Sequence, residues 1–112
     1  MRRWLPESWR QARELMERVA RVYERQLGPN ASELAIACLR LADVHEDAGD
    51  VAAQQAAAER GLAILERQEH AGLSLTGGRI TLGRALTAAG DAARAMPMLE
   101  RAVQAYEQVQ AY

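Results

Sequence analysis

Apolar residues return every three or four positions along almost the whole chain, and no segment keeps the period-two alternation of a half-buried strand. Trp9, Ala12, Met16, Val19 and Tyr23 set the pattern and predict a helix that opens at Pro6 and runs to Leu27. Gly28 ends it, inside the breaker "GPN". Asn30 with Glu33 three residues on reads as a capping pair for a second helix, "SELAIACLRLADVHEDA", which stops at Gly49. Asp50 can cap a third, "VAAQQAAAERGLAILERQEH", ending near Gly72. Ser74 is the expected cap of a fourth, "LTGGRITLGRALTAA", and Gly90-Asp91 supplies the next stop and start. A fifth helix runs from Ala92 to near the C-terminus. The predicted class is all-α.

One element of this pattern occurs twice. Leu41, Ala48, Gly49 and Asp50 recur as Leu82, Ala89, Gly90 and Asp91, at an offset of 41 residues. A glycine lets the backbone leave a helix at positive φ, and an aspartate directly after it accepts from the free N–H groups of the next helix. Two helices joined by so short a turn form an antiparallel hairpin. A fixed period of about 40 residues predicts stacked hairpins, an α-solenoid of five helices.

The residues of this echo resemble tetratricopeptide repeats (TPR). Leu82-Gly83, Gly90-Asp91, Ala95 and Ala102 supply the family's pattern of leucine, small residue, Gly-Asp turn and two small residues in the second helix. The earlier copy supplies Leu41-Ala42, Gly49-Asp50 and Gly61, and departs at Gln54, where the family has a small residue. The resemblance divides a single domain, 1–112, into the second helix of a partial repeat (6–27) and two repeats (31–70 and 74–110). The long period, "LGPN" at 27–30 and "ARAMPMLERAVQAYEQ" at 93–108 are similar to the kinesin-light-chain-like branch, common in bacterial multidomain proteins. That branch often carries a proline inside the second helix, as Pro97 is here. Elsewhere a proline in a helix interior costs ~3 kcal/mol, less near the first turns.

The resemblance implies a peptide-binding concave face formed by the first helix of each hairpin. It places Leu39, Arg40, Asp43, Glu46 and Asp47 there from one hairpin, and Ile80, Arg84 and Thr87 from the next. Asp43 and Asp47 are one turn apart and repel by ~0.2–0.5 kcal/mol, which a basic partner would relieve. The bland alternative is a solvated helix face. Two known ligand classes of the family do not carry over. A carboxylate clamp for chaperone tails needs lysine, which this chain lacks, and the asparagine slots used by kinesin light chain hold Arg40 and Thr81.

Composition narrows the function further. The formal net charge of −1 provides no field for nucleic acid. All basic side chains are arginine, consistent with GC-rich coding. A single cysteine, Cys38, gives no disulfide framework and suits a reducing cytoplasm, where it reads as a small core residue. No apolar run approaches the ~20 residues of a membrane span, and "MRRWLPESW" is not a secretory signal.

Candidate chemistry is sparse. "HED" at 45–47 lacks the second histidine of a zincin, so His45 reads as a packed, hydrogen-bonded histidine and not a ligand. "TGGR" at 76–79 is no phosphate loop. Its two glycines either let a neighbouring helix approach or mark a frayed start. Trp4 and Trp9 are either an exposed hot spot or the cover of an open core. The expectation is a cytoplasmic, non-catalytic module with no cofactor or metal, which binds a protein or peptide and neither nucleic acid nor membrane. The alternative is an oligomerisation or accessory segment of a larger bacterial regulator or enzyme. The last helix carries Ala95, Leu99, Ala102, Val103 and Tyr106. Leu99 is expected in the core, and Val103 and Tyr106 in a self-association surface that gives a homodimer.

Overall fold

The computed structural model describes residues 6–68 and 72–111, and side chains for 7–68 and 72–109. The described residues form α1 (Pro6–Leu27), α2 (Ser32–Ala48), α3 (Val51–Glu66), α4 (Leu73–Ala88) and α5 (Ala92–Ala111), with no strand among them. Each helix packs on its neighbours in sequence, and α2 also touches α4. That is the contact pattern of stacked hairpins. The radius of gyration, 14.3 Å, slightly exceeds the ~13 Å of a compact chain of this length.

Both Gly-Asp turns are built as the echo requires. Gly49 and Gly90 have φ of 80° and 82°. At the first turn Gly49 N–H bonds to Glu46 O and Asp50 N–H to His45 O. The second repeats this with Gly90 to Thr87 and Asp91 to Leu86. These paired bonds satisfy the last carbonyls of the outgoing helix. Asp50 Oδ1 then accepts from Ala53 N and Asp91 Oδ1 from Arg94 N, both at 3.2 Å, which caps α3 and α5.

The other two entries differ from expectation. Ala31, in extended backbone, precedes α2 and offers no side-chain cap. Asn30 is engaged elsewhere: its Oδ1 accepts from Arg67 Nη1 at 2.9 Å, and its carbonyl accepts from Gln68 Nε2 at 3.0 Å. The residue expected to open α2 instead ties its start to the end of α3. Ser74 lies inside α4, whose entry is Gly72 at φ 53°. α3 ends at Glu66, earlier than its apolar pattern suggested.

The core has two patches joined through α2 and α3. In the first, Ala20 of α1 meets Leu34, Ala35, Ala37, Cys38 and Leu39 of α2 and Ile64 and Leu65 of α3. In the second, Ala42, Ala58 and Leu62 meet Leu82, Ala85 and Leu86 of α4 and Ala95 of α5. Leu34, Leu65 and Leu86 are among the largest fully buried side chains, each stabilising by ~1.5–3 kcal/mol relative to exposure. The small residues set helix spacing. A Cβ on Gly61 would lie 2.8 Å from Leu39 Cδ2 and 2.9 Å from the carbonyl oxygen of Ala35. One on Gly83 would lie 2.7 Å from Leu99 Cδ2. Gln54, where the family pattern has a small residue, is buried at 3% exposure.

Pro97 is the sixth residue of α5, past the first turn, so its missing N–H does remove a helical hydrogen bond. Pro97 and Ala93, whose carbonyl loses that donor, are both exposed, so water can replace it.

Candidate functional site

The α2–α4 contact brings the first helices of the two hairpins side by side. Arg84 Nη2 donates to Glu46 Oε1, a direct ion pair between them. Arg40 Nη1 lies 3.8 Å from Asp43 Oδ2 on α2 itself. The acidic cluster is therefore not waiting for an outside cation at every position: Arg84 and Arg40 already relieve part of its repulsion. Charge along the two helices is interleaved, acid beside arginine. Both pairs are at least partly exposed, and each contributes only ~0–1 kcal/mol. Such pairs can be exchanged for a ligand's charges at little cost to the fold.

Leu39 departs from the expected face. It is 8% exposed and packs into the space left by Gly61, so it is a core residue and not a groove contact. Ile80 is half-buried and Thr87 exposed. Thr87 Oγ1 donates to Gly83 O at 2.8 Å within α4, which leaves its oxygen to accept from a ligand. Asp43 and Asp47 are half-buried.

Sequence reasoning missed a cluster at the start of α1. Trp9 Nε1 donates to Val44 O at 2.8 Å, Arg13 stacks on the Trp9 ring at 4.8 Å, and His45 meets the same ring edge-on at 6.4 Å. Trp9 thus covers the α1–α2 seam and is half-buried; Trp4 lies outside the described residues. His45 is packed as expected, and its Nδ1 is buried with no hydrogen-bond partner among the described residues. Burial pushes the His45 imidazole below its usual pKa, and Arg13 adds to this, against the opposing pull of Asp50 and Glu17. Cys38 is 1% exposed. Burial raises its thiol pKa, Glu24 adds to the rise, and Arg60 opposes it. Such a thiol is a poor nucleophile. No group of His, Cys, Asp and Glu among the described residues is arranged to hold a metal ion.

The two glycines of "TGGR" have different roles. Gly78 faces α3, where an added Cβ would sit 3.2 Å from Leu62 Cδ1. Gly77 faces open space. Both lie inside α4, so the frayed-start reading falls.

Consecutive antiparallel helices, Gly-Asp turns and side-by-side first helices define a TPR-like helical fold. Among solved structures the chain is similar to the crystal structure of BtubC (BKLC) from P. vanneervenii, with a TM-score of 0.86 at 24% sequence identity. The match covers 95% of this chain and 43% of that one, so the chain spans less than half of the neighbour's length. At this identity the likeness establishes the fold. No family model matches the chain, and no curated protein matches it. No helix among the described residues is long and apolar enough to cross a membrane.

Proposed function

We propose that the chain is a non-catalytic protein-interaction module, a TPR-like adaptor or scaffold that holds an extended segment of a protein partner across α2 and α4. The observation that carries this is the pairing of those helices, with Arg40, Asp43, Glu46, Asp47, Arg84 and Thr87 all at least partly exposed along them. The partner's chemistry follows from the balance of the face. The face offers the carboxylates of Asp43, Glu46 and Asp47 in exchangeable pairings, so the preferred segment carries arginine or lysine, with an apolar residue to meet Ile80. Kinship with the kinesin-light-chain-like branch is supported by the 41-residue period, Pro97 and the likeness to BtubC (BKLC). A bacterial, cytoplasmic setting accords with that reading and with the lone reduced cysteine.

The test is selection of peptides from a displayed random library against the immobilised chain. Selected sequences should be enriched in basic residues, and their capture should weaken between ~50 and ~300 mM salt, because exposed charges are screened over ~8–10 Å near physiological ionic strength. The variant Asp43→Asn/Glu46→Gln/Asp47→Asn should fold and lose most of that capture. Selected peptides that hold to this variant at full strength would return the carboxylates to a solvated face.

A second reading is favoured by a separate observation: α1 and α5 each leave an apolar stripe exposed, with Leu15 at 57% and Val103 at 55%. Such stripes fit an oligomerisation or accessory segment of a larger bacterial regulator or enzyme.

A further inference from the structure

We propose that copies of this chain associate head to tail, the outer face of α5 in one copy seating on the outer face of α1 and the adjoining edge of α2 in the next. This deepens the second reading above and rests on it; Arg40 borders both this face and the α2–α4 face.

The two faces are uncovered for the same reason. Among the described residues α3 is held between α2 and α4, whereas α1 packs mainly on α2 and α5 mainly on α4. Each reaches α3 along one side, α1 through Ala20 and the Glu24–Arg60 pair and α5 through Ala95 and the Arg94–Glu59 pair. The apolar arc of α1 is wider than α2 can cover. Met16, Ala20 and Tyr23 turn into the core patch, while Leu15 (57% exposed), Val19 (38%) and Val22 (38%) stay in water. Val19 also borders a depression of about 240 Å³ whose far wall on α2 includes Ile36 and Arg40. On α5, Ala95 and Ala102 are buried, while Met96 (54%) and Val103 (55%) stand out along a stripe with Leu99. In both helices the exposed apolar residues are seven apart, Leu15 with Val22 and Met96 with Val103, which is two turns or ~10.5 Å. Of the charged residues between each pair, one lines the same stripe: Arg18 on α1 and Glu100 on α5.

The sign of the charge selects the partner. The α5 stripe is lined by Glu100 and Glu107 and no basic residue. The α1 stripe is lined by Arg18 and no acidic residue, and the adjoining edge of α2 adds Glu33 and Arg40, the latter already beside Asp43. A two-fold pairing of α5 with itself, centred on Val103, would set Glu100 of one copy against Glu107 of the other. A two-fold pairing of α1 would bring Arg18 toward Arg18. Like charges across an interface disfavour both. Seating α5 on α1 joins apolar stripe to apolar stripe and places Glu100 opposite Arg18. The proposed geometry differs from the two-fold homodimer expected from the sequence: a heterologous contact leaves one live face at each end and continues into longer assemblies or a ring.

The experiment uses two variants, each with one face blocked: Leu15→Glu on α1 and Val103→Arg on α5. Both residues are more than half exposed, so the fold is kept, and circular dichroism checks it. In sedimentation velocity the wild type should grow past dimer as concentration rises to ~100 μM, far above a micromolar Kd. Each variant alone should stay monomeric, and an equimolar mixture should form a discrete dimer through the one intact pair of faces. Arg18→Glu should weaken wild-type assembly at least ~10-fold, and adding Glu100→Arg in the same chain should restore it. A Leu15→Glu protein that dimerises alone would show a two-fold α5 contact, overturning the head-to-tail geometry while self-association survives. A mixture that stays monomeric, or a wild type monomeric at ~100 μM, would overturn the proposal outright.

Discussion

Three helical glycines, changed one at a time to alanine, should move stability in a graded order set by what the new methyl meets. Alanine gains ~0.5–1 kcal/mol over glycine in a helix interior through lower backbone entropy in the unfolded chain. At Gly77 nothing lies within 4 Å of the added Cβ, so Gly77→Ala should realise that gain. At Gly83 the methyl would come within 2.7–2.9 Å of Leu99 Cδ2 and Cγ. Leu99 is only half-buried and can turn away, so Gly83→Ala should fall near zero. At Gly61 the methyl meets both Leu39, which is buried, and the carbonyl oxygen of Ala35 at 2.9 Å. A backbone oxygen cannot turn away, so α2 and α3 must part. Overpacking of this kind costs ~1–3 kcal/mol, and with a buried leucine and a backbone oxygen both in the way the cost lies toward the upper part of that range. After the helical gain a net loss of at least ~1 kcal/mol remains. Urea unfolding followed by far-UV circular dichroism measures all three, with the slope of the transition checked for constancy. In a chain of this length 1 kcal/mol corresponds to roughly 4 °C in Tm, so the order is also visible in a melt. A Gly61→Ala protein as stable as the wild type would mean that α2 and α3 are not held at the observed distance. A Gly77→Ala protein that loses stability would place Gly77 against a neighbour that the fold does not provide.

Two further predictions concern a turn and a titration. Gly90→Val should destabilise by at least ~1 kcal/mol, since φ of 82° is disfavoured for a β-branched residue; an unchanged urea midpoint would refute the turn assignment. Folding depresses the His45 pKa below its ordinary value near 6.5, so the unfolded chain binds the extra proton first. The stability that His45 contributes should be present above that value and be lost as pH falls from there toward the depressed folded value, with Trp9 fluorescence reporting the loosening of the α1–α2 seam. His45→Gln should flatten that part of the stability profile, and a variant that keeps the full slope would assign it to other groups.

The parts of this fold legible in the sequence are those decided within a few residues. Apolar spacing, a glycine that can take positive φ and an aspartate one position later are local facts, and together they placed five helices and both Gly-Asp turns. The misplaced details depend on partners far along the chain. Asn30 has the right side chain to cap α2, but Arg67 and Gln68, brought close only by the hairpin, engage it instead. Gly72 rather than Ser74 opens α4 because its backbone, at φ 53° and ψ −128°, suits glycine and needs no hydroxyl. The resemblance to tetratricopeptide repeats implies a groove position for Leu39. It turns inward because Gly61 leaves a hole that another side chain at that position would have filled.

The same logic separates the two surfaces proposed to bind. The α2–α4 face is made of exchangeable ion pairs such as Arg84–Glu46, whose partners come from different hairpins. No single helix displays it, and its pairing could not be read before the hairpins were stacked. The α1 and α5 stripes are properties of single helices, and the exposed position of Val103 and Tyr106 was legible from α5 alone. What the sequence could not show was their pairing. That depends on which residues each helix buries against the rest of the fold and on the charges left beside the remainder: Arg18 with Leu15 and Val22, Glu100 with Met96 and Val103. An all-apolar stripe would accept many partners with little preference for orientation. A stripe interrupted by one charge discriminates, because burying that charge without its opposite leaves it unpaired in the contact. The charges therefore bear less on how tightly two copies hold than on which faces meet, and a double exchange at Arg18 and Glu100 should preserve the second while leaving the first almost unchanged.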